Sequence, residues 1–398
     1  MLPSRNAHRL TLLLLSVLML VATCRPAAED SARGSGSPSP STTASQPIAP
    51  TGPLAGETWP GGEVTPNALL HDDGTRLWRI TLDGDRSLIW RHPKANVVSI
   101  AASADGHELA ISVDLPTDDG RQPSFVLYLL RNDGTVETVD VVDDFRTIDS
   151  PIFLTPPTER RSGARLYWLR VGEEVDELGR LDTQVMVLTD DGPREVEVPL
   201  RYAEAPFDVH GYPGAYVFTL ALFRQNDVPT RLEILRNDDF SRSTDASLTL
   251  WGDNESRANT DIFVGVAWPT PIDYVVPVGN ELAPERYELR LFRAGCEYLG
   301  YRVIYAGQDL DWGRSDVPWR ILPGGGDQVL VLGRKGVSAI ARHHADSTPW
   351  LALDLTTGRL SRTQAVWERG PWAWVSAEPR RYPNPRRSSC AGDDWTWD

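Results

Sequence analysis

The stretches SIAASADGHELAISVD (99–114) and FVLYLLRNDGTVETVDVV (125–142) decide how the chain is read. Each is an apolar run of strand length, a turn carrying Asp-Gly or Asn-Asp-Gly, and a second run that answers the first. Gly at such a turn supplies the positive φ that tight hairpins require. The same grammar recurs outward from here, in LWRITLDGD (77–85), QVMVLTDDGPREVEVPL (184–200), RLEILRNDD (231–239) and YELRLFRAG (287–295). QVLVLGRKG (328–336) and WLALDLTTGRLSR (350–362) complete the series. No long segment has a 3.6-residue apolar period, and the 31 Pro residues oppose helices of ordinary length. The expected class is all-β.

The hairpin turns fall near Gly84, Gly134, Gly192, Asp239, Gly295 and Gly358. Between them lies a second kind of unit, a polar or proline turn leading into a strand. Ser103-Ala104-Asp105-Gly106 precedes ELAISV, and Arg161-Ser162-Gly163-Ala164 precedes RLYWLRV. Tyr212-Pro213-Gly214-Ala215 precedes YVFTLAL, and Gly324-Gly325-Gly326-Asp327 precedes QVLVLG. Together they make a four-stranded antiparallel unit repeated about six times. One such sheet cannot bury both faces alone, whereas neighbours packed around a ring bury them and leave short edges.

This pattern resembles the TolB-like or WD40-like propeller repeats of bacterial envelope proteins, which read (L/I)-Y-x-x-x-x-D-G … S-P-D-G-x-x-(I/L)-A-(F/V). Leu77-Trp78-Arg79-Ile80-Thr81-Leu82-Asp83-Gly84 takes the opening strand and turn. Ser103-Ala104-Asp105-Gly106-His107-Glu108-Leu109-Ala110-Ile111 takes the later one, with Ala104 where the family has Pro. The second unit keeps Leu127 to Gly134 and Arg165 to Leu169, and later units match in pattern alone. The resemblance spans about residues 65–375 and implies a β-propeller, six blades of four antiparallel strands. Seven blades, one large β-sandwich or two sandwiches stay open, as does a boundary in the polar stretch 240–260. The motifs mark strands and turns, not chemistry.

The N-terminus reads MLPSRNAHRLTLLLLSVLMLVATC. Arg5 and Arg9 precede an apolar run from Leu10 to Ala22, which is short of the roughly 20 residues of a membrane span. It has the shape of an export signal. Val21-Ala22-Thr23-Cys24 resembles the bacterial lipobox, with Thr23 where Gly, Ala or Ser is usual. That resemblance implies a signal peptide over 1–23 and lipidation of Cys24, hence a lipid-membrane partner and an extracytoplasmic, membrane-anchored location. Each buried CH₂ of such an anchor contributes about 0.8 kcal/mol. Simple secretion and an uncleaved anchor are the alternatives. Only two Lys, Lys94 and Lys335, stand against many Arg, a habit of GC-rich bacterial genomes.

Residues 24–60 are rich in Pro, Ser, Gly, Thr and Ala, with one aromatic, Trp59. Such a segment buries too little apolar surface to offset its ordering entropy, so a lipid-anchored flexible spacer is expected there. A glycosylated stalk would give the same architecture. Residues 61–398 are then the propeller domain with a C-terminal tail.

Three Cys exclude a disulfide scaffold. With Cys24 assigned to lipid, Cys296 and Cys390 either pair outside the cytoplasm or stay as two thiols. A net charge of −15, with no basic run beyond Arg160-Arg161 and Arg386-Arg387, argues against nucleic acid as a partner. There is no HExxH, GxSxG, P-loop, dinucleotide fingerprint or sialidase Asp box, and no EF-hand spacing. No cofactor is expected. The seven His are scattered, and His343-His344 reads as a polar loop rather than a metal site. Adjacent Asp pairs, such as Asp118-Asp119 and Asp190-Asp191, read as turn formers. Eight of the 14 Trp lie from Trp312 to Trp397. Trp350, Trp372 and Trp374 are expected to pack in the body. Trp395 and Trp397 either dock on it or form a recognition tip.

The expected function is a non-catalytic, surface-displayed binding or scaffold protein, with an envelope protein or glycan as partner. The alternative is an extracellular hydrolase or lyase acting on a glycan or peptide at the propeller mouth, using paired carboxylates or His.

Overall fold

The computed structural model describes residues 51–375 apart from 104, 116–123, 143–145, 155–164, 176–180, 197–203, 212–216, 225–227, 237–247, 250–260, 264–265, 270–272, 281–287, 294–300, 307–320, 325–327, 333–348 and 369. The described strands form six four-stranded antiparallel sheets. The first holds β1 (Ala68–Asp72), β2 (Arg76–Ile80) and β3 (Arg86–Arg91). The second holds β4 (Asn96–Ala102), β5 (Glu108–Leu115), β6 (Ser124–Arg131) and β7 (Val136–Val142). The third holds β8 (Arg146–Leu154), β9 (Arg165–Val175), β10 (Leu181–Thr189) and β11 (Gly192–Val196). The fourth holds β12 (Glu204–Gly211), β13 (Val217–Arg224), β14 (Val228–Arg236) and β15 (Leu248–Thr249). The fifth holds β16 (Asp261–Phe263), β17 (Asp273–Asn280), β18 (Glu288–Arg293) and β19 (Arg302–Ala306). The sixth holds β20 (Ile321–Pro323), β21 (Gln328–Leu332), β22 (Pro349–Asp354) and β23 (Leu360–Val366). The final strand, β24 (Trp372–Val375), returns to the first sheet, whose order is β24-β1-β2-β3.

The strands read as continuous apolar runs because sheets are covered on both faces. Along β6, Val126, Tyr128 and Leu130 join a core with Leu77 and Trp90 of the first sheet. The alternate residues Phe125, Leu127 and Leu129 join one with Phe153 and Trp168 of the third. Val275 and Leu291 of the fifth sheet pack with Val329 and Leu353 of the sixth. Leu330 and Trp350 of the sixth pack with Leu69 and Ile80 of the first. The leading strands lie side by side, β20 on β24, β24 on β4, β4 on β8 and β8 on β12. Short antiparallel sheets stacked face to face about their first strands define a β-propeller. The expected turns at Gly84, Gly134, Gly192 and Gly358 all have positive φ.

The spacer expected to run to residue 60 ends earlier. Residues 51–64 form a strap laid on the second sheet, and Leu54, Trp59 and Val64 are buried in the core it shares with the first sheet. Trp59 N–H donates to the Gly134 carbonyl at 3.2 Å, and Val64 N–H to Gly106 at 2.9 Å. The Trp59 indole N–H donates to the Arg131 carbonyl. Gly134 is needed twice over. Its φ is +90°, and a Cβ there would stand 3.1 Å from the Trp59 carbonyl. Composition misled here because a few apolar residues suffice when a groove between two sheets receives them. Trp59→Ala should cost about 3–5 kcal/mol of unfolding free energy in urea melts, whereas a free spacer residue would cost nothing.

Candidate functional site at the closing strand

β1 is hydrogen-bonded to β2 on one side and to β24 on the other, with His71 opposite Trp372 and Ala68 opposite Val375. The pairing joins residues from 301 positions apart (His71 and Trp372) to 307 apart (Ala68 and Val375). Three loops meet where β1 ends: 73–75, 92–95 and 367–371. Asp72 N–H donates to the Pro371 carbonyl, His92 N–H to Thr75 and Ala95 N–H to Gly74. A cluster of polar side chains lies among them.

The side chains of Asp72 and His92 are fully buried, with His92 Nε2 2.7 Å from Asp72 Oδ2. His92 Nδ1 is 2.7 Å from the Pro93 carbonyl oxygen. Both ring nitrogens therefore face acceptors, and both must donate, so this ring is an imidazolium. Burial alone would lower its pKa, but the hydrogen bond and charge of Asp72 outweigh burial and raise it. Asp72 Oδ1 also accepts Gly74 N–H at 2.6 Å. A general base needs one nitrogen free to face a substrate. Both His92 nitrogens are occupied, so the Asp72–His92 pair ties the loops after β1 and β3 together.

His71 is the opposite case. Its side chain is fully buried, and its ring stacks on Trp372 at 4.3 Å and 17°. Nδ1 lies 3.3 Å from the Pro371 carbonyl, which can only accept, so the proton sits there. Nε2 has no hydrogen-bond partner among the described residues and is 3.6 Å from Glu368 Oε2. Burial lowers the His71 pKa, and the ring is neutral. The two histidines act on stability with opposite signs. The contribution of neutral His71 is present above its unfolded value near 6.5 and is lost as pH falls through the window below it. That of charged His92 is full below 6.5 and is lost as pH rises through its raised folded value.

Around this pair the surface is tied down as well. Asp73 accepts from Thr75, from Arg76 at 2.8 Å and from the Trp78 indole at 3.0 Å. Burial would raise its pKa, but these hydrogen bonds outweigh it and hold the carboxyl well below the ordinary range. Trp78 lies between two guanidinium groups, Arg76 at 5.1 Å and Arg86 at 4.8 Å. Arg86 in turn grips Glu368 at 2.6 and 3.2 Å, and the Glu368 carbonyl accepts the Trp372 indole N–H at 2.9 Å.

A second buried polar group joins the second and third sheets. Asp140 on β7 accepts from the Trp168 indole at 2.7 Å and from Arg170 at 2.8 and 2.5 Å, both on β9. Ser112 on β5 donates to the Ile148 carbonyl of β8 at 2.7 Å.

The residues singled out in the sequence fare differently. Trp350, Trp372 and Trp374 are buried between the sixth and first sheets, as expected of core residues. Cys24, Cys296, Cys390, Trp395, Trp397 and His343-His344 lie outside the described residues. Among the described residues, no three His, Cys, Asp or Glu side chains are grouped to hold a metal. Sequence reasoning passed over His71 and His92. The signal was the run His71-Asp72-Asp73-Gly74, an acidic turn preceded by a histidine that directly follows the apolar run Ala68-Leu69-Leu70.

The fold and this closure define a β-propeller whose last described strand pairs with its first. No family model matches the chain, and no curated protein matches it. Among solved structures, it is similar to the β-propeller domain of the Trilobed protease from Pyrococcus furiosus, at TM-score 0.42 and 9% identity, covering 76% of that chain and 74% of this one. It is also similar to a protein from Lactobacillus plantarum, at TM-score 0.41 and 12% identity, covering 89% of that chain and 79% of this one. Porphyromonas gingivalis dipeptidyl peptidase 4 matches at TM-score 0.38 and 10% identity, with 53% of that chain and 77% of this one covered.

Proposed function

We propose that this chain is a non-catalytic binding or scaffold protein, displayed outside a bacterial cell on a lipid carried by Cys24. In this reading the six sheets are the six blades of one closed ring, of the TolB-like or WD40-like kind. The carrying observation is how the polar groups at the seam, and between the second and third sheets, are used. His92 has both nitrogens occupied, and Asp72, Asp73 and Asp140 each accept several fixed donors. Groups held this way stiffen a frame and leave binding to its loops. The envelope address rests on Arg5, Arg9, the apolar run to Ala22 and the lipobox-like Val21 to Cys24. Pairing of Cys296 with Cys390 would fasten the tail that carries Trp395 and Trp397. An envelope protein or glycan is the partner class.

The test is metabolic labelling of the full chain with a fatty-acid probe in a bacterial host, followed by membrane fractionation. The wild type should be labelled and sediment with membranes. Cys24→Ser should lose the label and leave the lipoprotein fraction. A label that persists in Cys24→Ser removes the anchor from the reading.

A further inference from the structure

β24 joins a sheet whose other three strands come from the opposite end of the described chain, so its seam with β1 holds the closure. That seam contains His71, a buried ring whose Nε2 has no hydrogen-bond partner among the described residues. The Glu368 carboxylate stands 3.6 Å away and is shared with Arg86. We propose that this seam is an acid-operated clasp, in which a proton taken up on His71 Nε2 draws Glu368 off Arg86 and loosens β24 from β1.

The charges around the ring set the direction. Asp72, on His71's own strand, is neutralised by His92 from the loop after β3. Asp73, in the loop after β1, is held by Arg76 and Trp78. Arg86 on β3 repels an imidazolium, while Glu368 in the loop before β24 attracts one. Two cations then compete for one carboxylate, the imidazolium from a buried position and Arg86 from the partly exposed rim of the seam. The π face of Trp372, stacked on the ring, offsets part of the added charge. Movement of Glu368 reaches β24 directly, because its carbonyl holds the indole N–H of Trp372, the first residue of that strand. At Gly370 even a methyl group would stand 2.2 Å from the Asp72 carbonyl.

Hydrogen exchange by mass spectrometry on the full chain tests this, following peptides over residues 368–375 at about pH 7.5 and about pH 5, corrected for intrinsic rates. In the wild type, protection of β24 should fall about tenfold or more at the lower pH while β5 and β6 hold theirs. In His71→Gln it should not change with pH. Equal protection of β24 at both pH values in the wild type overturns the clasp, as does an undiminished fall in His71→Gln. Should His71→Gln not fold, Glu368→Gln serves instead. It removes the carboxylate that the proton would draw off Arg86, so the fall at the lower pH should disappear, and an undiminished fall overturns the proposal.

Discussion

Asp140→Ala should unfold the protein at markedly lower denaturant, with a loss of about 3–5 kcal/mol. Asp140 is 1% exposed, and the Arg170 side chain it holds is only 23% exposed. Removing the carboxylate leaves a largely buried guanidinium and the Trp168 indole N–H facing apolar neighbours. That penalty exceeds the modest worth of the intact pair. Asp140→Asn keeps an oxygen for Trp168 and should cost less. The double variant Asp140→Ala/Arg170→Ala should cost less than the sum of the two singles, because the second change removes the stranded charge. Strict additivity in urea melts would mean that the pair does not act as one unit across the second and third sheets.

Gly370→Ala should cost about 2–5 kcal/mol, and its effect should centre on β24. Two causes add. The φ of +124° at this position is one that side chains rarely adopt. An added Cβ would also meet the Asp72 carbonyl at 2.2 Å and His71 Cε1 at 3.0 Å. The loop would have to lift, and the stack of Trp372 on His71 would open with it. Gly62→Ala separates the causes, because φ there is +88° and nothing lies within 4 Å of the added atom. It should show the conformational cost alone, smaller than that at Gly370. Equal losses at the two sites, measured by thermal unfolding, would mean that close approach contributes nothing.

Much of the architecture is legible in local pattern. The run FVLYLLR has no alternation because β6 is buried on both faces, and a reader of the sequence can infer a covered sheet from that. The polar site is far less legible. His71 looks like one of seven scattered histidines until β24 is laid beside β1. Glu368 and Arg86 lie 282 positions apart, and no periodicity links them. The strap was misread for a related reason. Leu54 and Trp59 sit among Gly, Pro and Thr, and their burial depends on a groove that two other segments build.

By itself the sequence determined the all-β class, the recurring hairpins and the glycines at their turns, because strand-length apolar runs and positive-φ turns are properties of a few consecutive residues. Only the tertiary structure decided that Leu54, Trp59 and Val64 pack into the body as a strap. It alone brought His71, Asp72, His92, Arg86 and Glu368 together, and it alone set one histidine charged and the other neutral. The reason is that protonation follows from which acceptors and how much solvent surround a ring. Those surroundings come from the closure of one end of the described chain on the other.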